Sequence, residues 1–338
     1  MLREALRVPA AGVFEAEPLV EGVRVRAPFG SRQIQQLATA RTRLCLHRVD
    51  ERAADAVPAL SLVHDDGGEL RVGPVVLERR RDMQLCQPDD GAAHVRDDER
   101  LELLRVAVDA VNGRGTVIAG TGTYSTAHSV HLTREAHELG VDGFLIVTPY
   151  YNKPPPRGIV AHFKAIAAES DKPIVVYNIP GRVVLNLEPE TIAELAEIPT
   201  VRAVKQANDD LEQARRILAE TDLDLYAGDD ILVYSFLELG GVGGVCVHTH
   251  VVGPQVKQMI RSFRDGDAET AKRIDEELAP AYELLKVQTN PIAIKAALNL
   301  AGHQVGGVRL PLVEASDDEI ARVRSCLERL GIFASAAV

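Results

Sequence analysis

Short apolar runs recur every ~20 to 30 residues over the second two-thirds of the 338-residue chain. Each run is rich in β-branched residues and is followed by a longer amphipathic stretch, the pattern of a buried strand followed by a helix. This spacing is typical of parallel strands joined by single helices. The sequence therefore predicts six successive βα units. Their strands are TVIAGTG (116–122), GFLIVTP (143–149), PIVVYNI (173–179), VRAVKQA (201–207), DLYAGD (224–229) and GGVCVHT (243–249).

Residues with known preferences for helix ends mark where several helices begin and stop. Gly140 is placed to follow a helix C-terminus, and Pro189 suits a first helical turn. Ser316 and Glu319 have the spacing of a capping box, and Gly331 can close the helix that they begin. Because no strand-like run follows residue 249, we predict that the chain ends in a helical region.

Serial βα units form either a closed eight-stranded barrel or an open doubly wound sheet. The open sheet is disfavoured because GTGTYS (120–125) does not match the dinucleotide-binding pattern G-x-G-x-x-G. We therefore predict an α/β fold, a TIM (β/α)8 barrel with a C-terminal helical extension. Two more strands would have to come from residues 1–95, so the first two βα units are atypical or missing.

Residues 1–95 differ in pattern from the rest of the chain. VRVRAP, TRLCLHRV and ELRVGPVVLERRR are candidate strands, and HDDGGEL (64–70) resembles a hairpin turn. A well-patterned helix begins just after residue 95, with one apolar face predicted to contain Leu101, Leu104, Val108 and Val111. We place the boundaries at an atypical segment 1–95, barrel units 96–252 and a helical region 253–338.

Composition limits the classes of partner. A net charge of −11 disfavours nucleic acid and anionic membranes, which select basic patches, and favours a small-molecule substrate. No apolar run approaches a membrane span, and the N-terminus lacks the pattern of a secretory signal, so we expect a cytoplasmic protein. The four cysteines and ten histidines show no metal-ligand spacing, so we expect reduced thiols and no metal.

The residues at the carboxyl ends of the strands are candidates for chemistry, because a barrel collects its active site there. Strand alternation places Val201, Ala203 and Lys205 on one face, and Val175 with Tyr177 on one face of the preceding strand. In a dry pocket, an amine is held neutral and can form a Schiff base with a keto group, while a phenol transfers protons. Arg182, which follows in the next turn, has a fork suited to a carboxylate.

Each candidate also has an ordinary structural interpretation. Lys205 could be a solvated lysine at a strand end, Tyr177 a packed core residue and Arg182 a surface or salt-bridge arginine. Tyr150 and Tyr151 could form a packing or interface patch. The arrangement of these residues at the ends of consecutive strands is what favours a catalytic site.

Seven blocks of the chain resemble a known family. They are VIAGTGTYSTAHSV, VTPYYNKPPPRGIVAHFKAIA, PIVVYNIPGR, AVKQA, YAGDD, GGVGGV and TNPIAIKAAL, in this order between residues 97 and 335. The chain resembles the dihydrodipicolinate synthase and N-acetylneuraminate lyase family of class I aldolases. The resemblance implies a (β/α)8 barrel, a homo-oligomer (dimer or tetramer), and a covalent Schiff base with pyruvate and no other cofactor.

The resemblance also implies roles for individual residues. Lys205 corresponds to the lysine that forms the Schiff base, and Tyr177 to the tyrosine that transfers protons. Tyr151 corresponds to the relay tyrosine that reaches a neighbouring subunit's site. Three residues would bind substrate. Arg182 would bind the carboxylate of the aldehyde, Val245 would line the pyruvate pocket, and Gly228 would lie beside that pocket.

The implied reaction is the lyase-class condensation of pyruvate with aspartate semialdehyde to 4-hydroxy-tetrahydrodipicolinate, in lysine and diaminopimelate biosynthesis. One alternative is an aldolase or dehydratase that acts on another 2-keto acid or a sugar acid. A second alternative is a catalytically impaired barrel that binds or assembles without turnover.

The chain departs from the family pattern in three places. Gln206 stands where an acidic residue is common, and Val183-Val184 where Thr-Gly is common. CQPDDGAAHV (86–95) replaces a Gly-Thr-Thr-Gly-Glu motif whose threonines hold the pyruvate carboxylate, and Asp89 and Asp90 would repel that group. Residues 1–95 are either a divergent or fused segment or the product of a disturbed coding frame. We expect low activity, and an ordinary family N-terminus in place of this segment should raise it.

Overall fold

The computed structural model describes residues 95–333 and, before them, the backbone of four short strands at 61–64, 70–73, 77–79 and 81–86. All six strands predicted from the apolar runs are present, and each ends within the run that predicted it. They are β5 (Thr116–Gly120), β6 (Gly143–Val147), β7 (Ile174–Asn178), β8 (Val201–Gln206), β9 (Asp224–Ala227) and β10 (Gly243–Gly244).

The N-terminal strands are β1 (Ser61–His64), β2 (Leu70–Gly73), β3 (Leu77–Arg79) and β4 (Arg81–Cys86). β1 and β2 form an antiparallel pair in which His64 is opposite Leu70, which confirms the predicted hairpin. β4 pairs in parallel with β5, whereas β3 pairs antiparallel with β4. Asp89, Asp90 and most other residues of segment 1–95 lie outside the described residues, so the predictions about them stay predictions.

The main sheet has eight strands in the order β10-β9-β8-β7-β6-β5-β4-β3. Every neighbouring pair from β4 to β10 is parallel. The two edge strands β3 and β10 approach each other, with Cα atoms within 8 Å, so the sheet curls strongly. The antiparallel β3 departs from a regular (β/α)8 arrangement, as the atypical N-terminal segment led us to expect.

Helices follow the strands, and further helices follow β10 in the described part of the chain. The helices between strands are α1 (Asp97–Val111), α2 (Thr126–Glu138), α3 (Pro156–Ala167), α4 (Pro180–Val183), α5 (Pro189–Ala196), α6 (Leu211–Glu220) and α7 (Val233–Leu239), the last preceded by a 3₁₀ turn at Asp230–Leu232. After β10 come α8 (Thr249–Arg264), α9 (Ala268–Glu277), α10 (Ala279–Leu285), α11 (Ile292–Leu300) and α12 (Asp317–Arg329). Within the described part of the chain, no helix combines the length and apolar character needed to cross a membrane.

The predicted helix boundaries are confirmed. Gly140 follows the end of α2 with φ of 82°, and Gly331 follows α12 with φ of 67°, a left-handed conformation that glycine adopts without strain. Pro189 is the first residue of α5. Ser316 caps α12 and forms the reciprocal capping box with Glu319.

The predicted apolar face of α1 is confirmed: Leu104 and Val111 are buried in a hydrophobic core, and Leu101 and Val108, partly buried, pack against the same core. The prediction about one face of β8 is wrong in part. Val201 does not share a face with Ala203, because the pairing register between β7 and β8 shifts by one residue there. Val201 packs on the outer side of the sheet instead.

Apolar residues form a separate core on each side of the curled sheet. The larger core lies between the sheet and its helices and includes Phe144, Phe163 and Phe236, all fully buried. The smaller core, the inner wall, consists of Ile118, Leu145, Val175, Ala203, Tyr226, Val242 and Val245, with Tyr177 packed against it. Successive strands contribute to the inner wall through alternate residues, as in the interior of a barrel.

Candidate active site

Lys205 and Tyr177 meet on the inner side of the sheet. They are register partners on β8 and β7, and Lys205 Nζ lies 3.9 Å from the centre of the Tyr177 ring. The lysine is 3% exposed, so its amine is removed from bulk water. A lysine is almost never buried to this degree unless it has a partner or a function. The buried position disfavours the interpretation of Lys205 as a solvated strand-end residue.

Strand β9 supplies the other side of the lysine's environment. Tyr226 is the register partner of Lys205 on β9 and is buried in the inner wall. Gly228 follows that strand, and a Cβ atom at this position would come within 2.9 Å of Lys205 Cγ and 2.8 Å of Ala207 Cβ. A glycine is therefore required for the chain to pass so close to the lysine stem. Val245, predicted to line the pocket, is buried in the same inner wall.

A carboxylate–imidazole pair lies near the lysine. Asp230 Oδ1 accepts hydrogen bonds from both the backbone N and the Nδ1 of His248, each at 2.5 Å. Burial raises the pKa of Asp230, but its electrostatic interaction with His248 and the hydrogen bonds from that residue outweigh burial, so this pKa lies below its usual value; Lys205 lowers it further. The Asp230 carboxylate is therefore part of the electrostatic surroundings of Lys205.

Cys246 completes a group of three possible metal-ligand residues with Asp230 and His248, whose donor atoms lie within 4.8 Å of one another. Burial raises the pKa of the Cys246 thiol well above its usual value, which favours the neutral thiol. Two ligands of one zinc ion stand about 3.3 Å apart in tetrahedral geometry. The 2.5 Å between Asp230 Oδ1 and His248 Nδ1 is shorter than this spacing and is that of a short, direct hydrogen bond.

Tyr151 and Arg182 do not belong to the inner wall. Tyr151 is 91% exposed, with φ of 72°, in the loop after β6. The neighbouring Tyr150 packs edge-on against Tyr124, with ring centres 5.3 Å apart, and its burial raises its pKa. Arg182 is an exposed residue of the short helix α4, directly after the strand that bears Tyr177. The structure thus brings together Lys205, Tyr177, Gly228 and Val245 but places Tyr151 and Arg182 at the surface.

Sequence reasoning did not identify Tyr226, Asp230, Cys246 and His248 as neighbours of the site. Tyr226 carried a usable signal, because it occupies an inward position near the end of a predicted strand. The Asp230–His248 pair carried none, since its residues are 18 positions apart and their spacing matches no motif.

The family of this chain follows from its similarity to known proteins. Residues 92–330 match the model of the dihydrodipicolinate synthetase family. The chain is 46% identical over 240 residues to the 4-hydroxy-tetrahydrodipicolinate synthase of Heliobacterium modesticaldum, a match that covers 70% of this chain and 80% of the relative.

Solved structures of similar proteins agree with the fold. A crystal structure of dihydrodipicolinate synthase from Cyanidioschyzon merolae with lysine bound is 44% identical, with a TM-score of 0.70, over 71% of this chain and 83% of the other. The dihydrodipicolinate synthase of Aquifex aeolicus is 30% identical, with a TM-score of 0.75, over 83% of this chain and 99% of the other. The chain belongs to the dihydrodipicolinate synthetase family.

Proposed function

We propose that this protein is a lyase that condenses pyruvate with aspartate semialdehyde to form 4-hydroxy-tetrahydrodipicolinate. The observation that carries the proposal is the buried amine of Lys205 over the ring of Tyr177, on the inner side of a parallel sheet. Relatives at 44 to 46% identity bear the name of this activity, which favours it over an aldolase for other keto or sugar acids.

Lys205 is the nucleophile of the proposed mechanism. Its Nζ attacks the C2 carbonyl of pyruvate, and the carbonyl oxygen leaves as water, which produces an imine. Loss of a proton from C3 converts the imine to an enamine. C3 of the enamine then attacks the aldehyde carbon of the second substrate, and the aldehyde oxygen takes up a proton. The amine of that substrate finally attacks C2 and displaces Lys205, which closes the ring of the product.

Tyr177 is the proton-transfer group of these steps. A phenol packed against the amine is placed to give a proton to the departing oxygen and to receive one as the enamine forms. Arg182, whose planar fork suits a carboxylate, holds the aldehyde substrate at the entrance. Tyr151 passes protons to the site of a neighbouring subunit, a role compatible with its exposed ring.

The proposal extends to the shape and assembly of the protein. We propose that the curled sheet belongs to an eight-stranded TIM barrel, a closure supported by the approach of β3 to β10 and the match to nearly the whole Aquifex aeolicus chain. We also propose a cytoplasmic homo-oligomer, a dimer or tetramer, which needs no metal or dissociable cofactor because the Schiff base forms on the protein itself.

Trapping of the imine tests the proposed function. The protein is incubated with pyruvate and borohydride, and the peptides are analysed by mass spectrometry. We expect the mass of reduced pyruvate on Lys205 alone, and none on a Lys205→Arg variant. Labelling of another lysine, or no labelling at saturating pyruvate, would overturn the assignment. Turnover with aspartate semialdehyde, compared with other aldehydes, then tests the second substrate.

A further inference from the structure

The side of the β7–β8 pair opposite the inner wall carries buried amides directly behind the two reactive residues. Asn178 follows Tyr177, Gln206 follows Lys205, and the two amides are register partners just as the tyrosine and lysine are. Both amide residues are completely buried. Because one rigid peptide unit joins Tyr177 to Asn178 and another joins Lys205 to Gln206, a backbone shift of Asn178 relative to Gln206 also shifts Tyr177 relative to Lys205.

Hydrogen bonds join these amides into a closed ring, which we call the amide ring: Asn178, Gln206, Gln213 and the backbone of Leu187. Leu187 N donates to Asn178 Oδ1 at 3.1 Å, and Asn178 Nδ2 donates to Gln206 Oε1 at 3.0 Å. Gln206 Nε2 donates to Gln213 Oε1 at 2.7 Å, and Gln213 Nε2 donates to Leu187 O at 2.6 Å. Donors and acceptors therefore follow one direction around the whole ring.

The backbone of Leu187 sets this direction. Its N–H can only donate and its C=O can only accept, so the oxygen of Asn178 and the nitrogen of Gln213 must face it. Gln206, between these two amides, then accepts on one side and donates on the other. A flip of any of the three amides would place two donors or two acceptors against each other at both of its ring contacts.

Two further asparagines tie the amide ring to the segment that follows Arg182. Asn186 Oδ1 accepts from Asn178 Nδ2 at 2.8 Å and from Asn208 Nδ2 at 3.2 Å. Asn208 Oδ1 accepts from Gln206 Nε2 at 2.9 Å. Leu187 and Asn186 lie only a few residues after Arg182, so the ring restrains the end of the segment that carries the arginine.

We propose that Gln206 is a positioning residue of the reaction, because it closes the amide ring that holds Tyr177 over Lys205 and restrains the segment after Arg182. The ring requires a side chain at this position that both donates and accepts. An acidic residue here would need donor partners, whereas Gln206 Nε2 faces two oxygens, Gln213 Oε1 and Asn208 Oδ1. The inference rests on the proposed function and adds a residue that sets the geometry of its active site.

Gln206→Glu is the test variant, because it keeps the size of the side chain, replaces the donor with an acceptor and, when ionised, adds a buried negative charge. We expect the rate of imine trapping with pyruvate to fall about tenfold at pH 8, since a buried group that loses its partner carries the full cost of desolvation. Burial raises the pKa of a carboxyl group, and a protonated carboxyl can donate again. The ratio of variant to parent rates should therefore rise as the pH is lowered towards about 5.

A compensating variant tests the direction of the ring. In Gln206→Glu with Gln213→Arg, the guanidinium can donate both to the new carboxylate and to Leu187 O, so trapping should return to within about threefold of the parent. Gln255→Glu makes the same chemical change at an exposed position on α8 and should leave trapping unchanged. Circular dichroism and thermal unfolding establish that each variant is folded.

The outcomes separate the two proposals. If the parent chain does not label at Lys205, the proposed function fails. If the parent labels and Gln206→Glu traps at the parent rate, the positioning role is wrong. The role is also wrong if the ratio of variant to parent rates is reduced by the same factor at every pH and the double variant does not restore trapping. If Gln206→Glu does not fold, Gln213→Met replaces it: a folded Gln213→Met protein that traps at the parent rate would also refute the role.

Discussion

Lys205 Nζ lies 3.9 Å from the centre of the Tyr177 ring because the two residues are register partners on adjacent parallel strands. Their separation is thus set by the backbone hydrogen bonds of the sheet and not by a loop. Sites built on strands hold reactive groups more precisely than sites built on loops. Substitutions at this contact should therefore change the reaction rate more than they change the free energy of unfolding.

Tyr177→Phe should reduce kcat by about a hundredfold or more, because it removes the hydroxyl that transfers protons but keeps the ring over the lysine. Thermal unfolding should be little changed. Tyr234→Phe is the matched control, since Tyr234 packs edge-on against Phe263 outside the inner wall and should retain parent activity. A Tyr177→Phe protein that unfolds, or that keeps its kcat, would support a packing role for this tyrosine.

Gly228→Ala should reduce the rate of imine trapping by at least about tenfold, because the added methyl group would come within 2.9 Å of Lys205 Cγ and displace the amine. Gly158→Ala on α3 is the control, as its new Cβ would make only ordinary contacts from 3.5 Å outward. Equal trapping rates in Gly228→Ala and the parent would show that the Lys205 side chain can accommodate the added methyl group without displacing its amine.

Arg182→Ala should raise the KM for aspartate semialdehyde by about tenfold or more and leave imine formation with pyruvate intact, because the guanidinium serves the carboxylate of the second substrate. Steady-state kinetics with each substrate varied, together with borohydride trapping, separates the two steps. Arg215→Ala removes an exposed arginine of α6, ion-paired to Glu212, and should change neither. A parallel loss of both steps would assign Arg182 to the scaffold.

His162 should make the fold sensitive to mild acid. It is 4% exposed, its Nδ1 is hydrogen-bonded to the Thr126 hydroxyl at 2.9 Å, and burial lowers its pKa from 6.5 to about 4. As the pH falls, His162 therefore binds a proton at a higher pH in the unfolded chain than in the folded protein. The free energy of unfolding should be highest above pH 6.5 and decrease by about 3 kcal/mol between pH 6.5 and 4 from this group.

Denaturant unfolding at several pH values measures this loss. His162→Gln keeps a polar partner for Thr126 but does not titrate, so its stability should fall less steeply than that of the parent over the same range. An identical pH dependence in the two proteins would show that His162 does not contribute. His250, whose pKa burial also lowers to about 4, would still contribute in the variant.

Local patterns in the sequence determined which segments form strands and where many helices end. Short apolar runs rich in β-branched residues predicted β5 to β10, and Gly140, Pro189 and Ser316 predicted helix boundaries that the structure confirms. The alternation of side chains along a strand placed Lys205 with Ala203, and Tyr177 with Val175, on one face of each strand. These features depend on residues only a few positions apart in the chain, which is why sequence alone could predict them.

Only the tertiary structure decided which distant residues meet. The register shift that turns Val201 outward, the pairing of Asp230 with His248 and the closure of the amide ring around Gln206 each join segments that are remote in sequence. Such contacts depend on how whole strands and helices pack together, and a register shift of one residue reverses which face a side chain occupies. That information is absent from any single stretch of sequence.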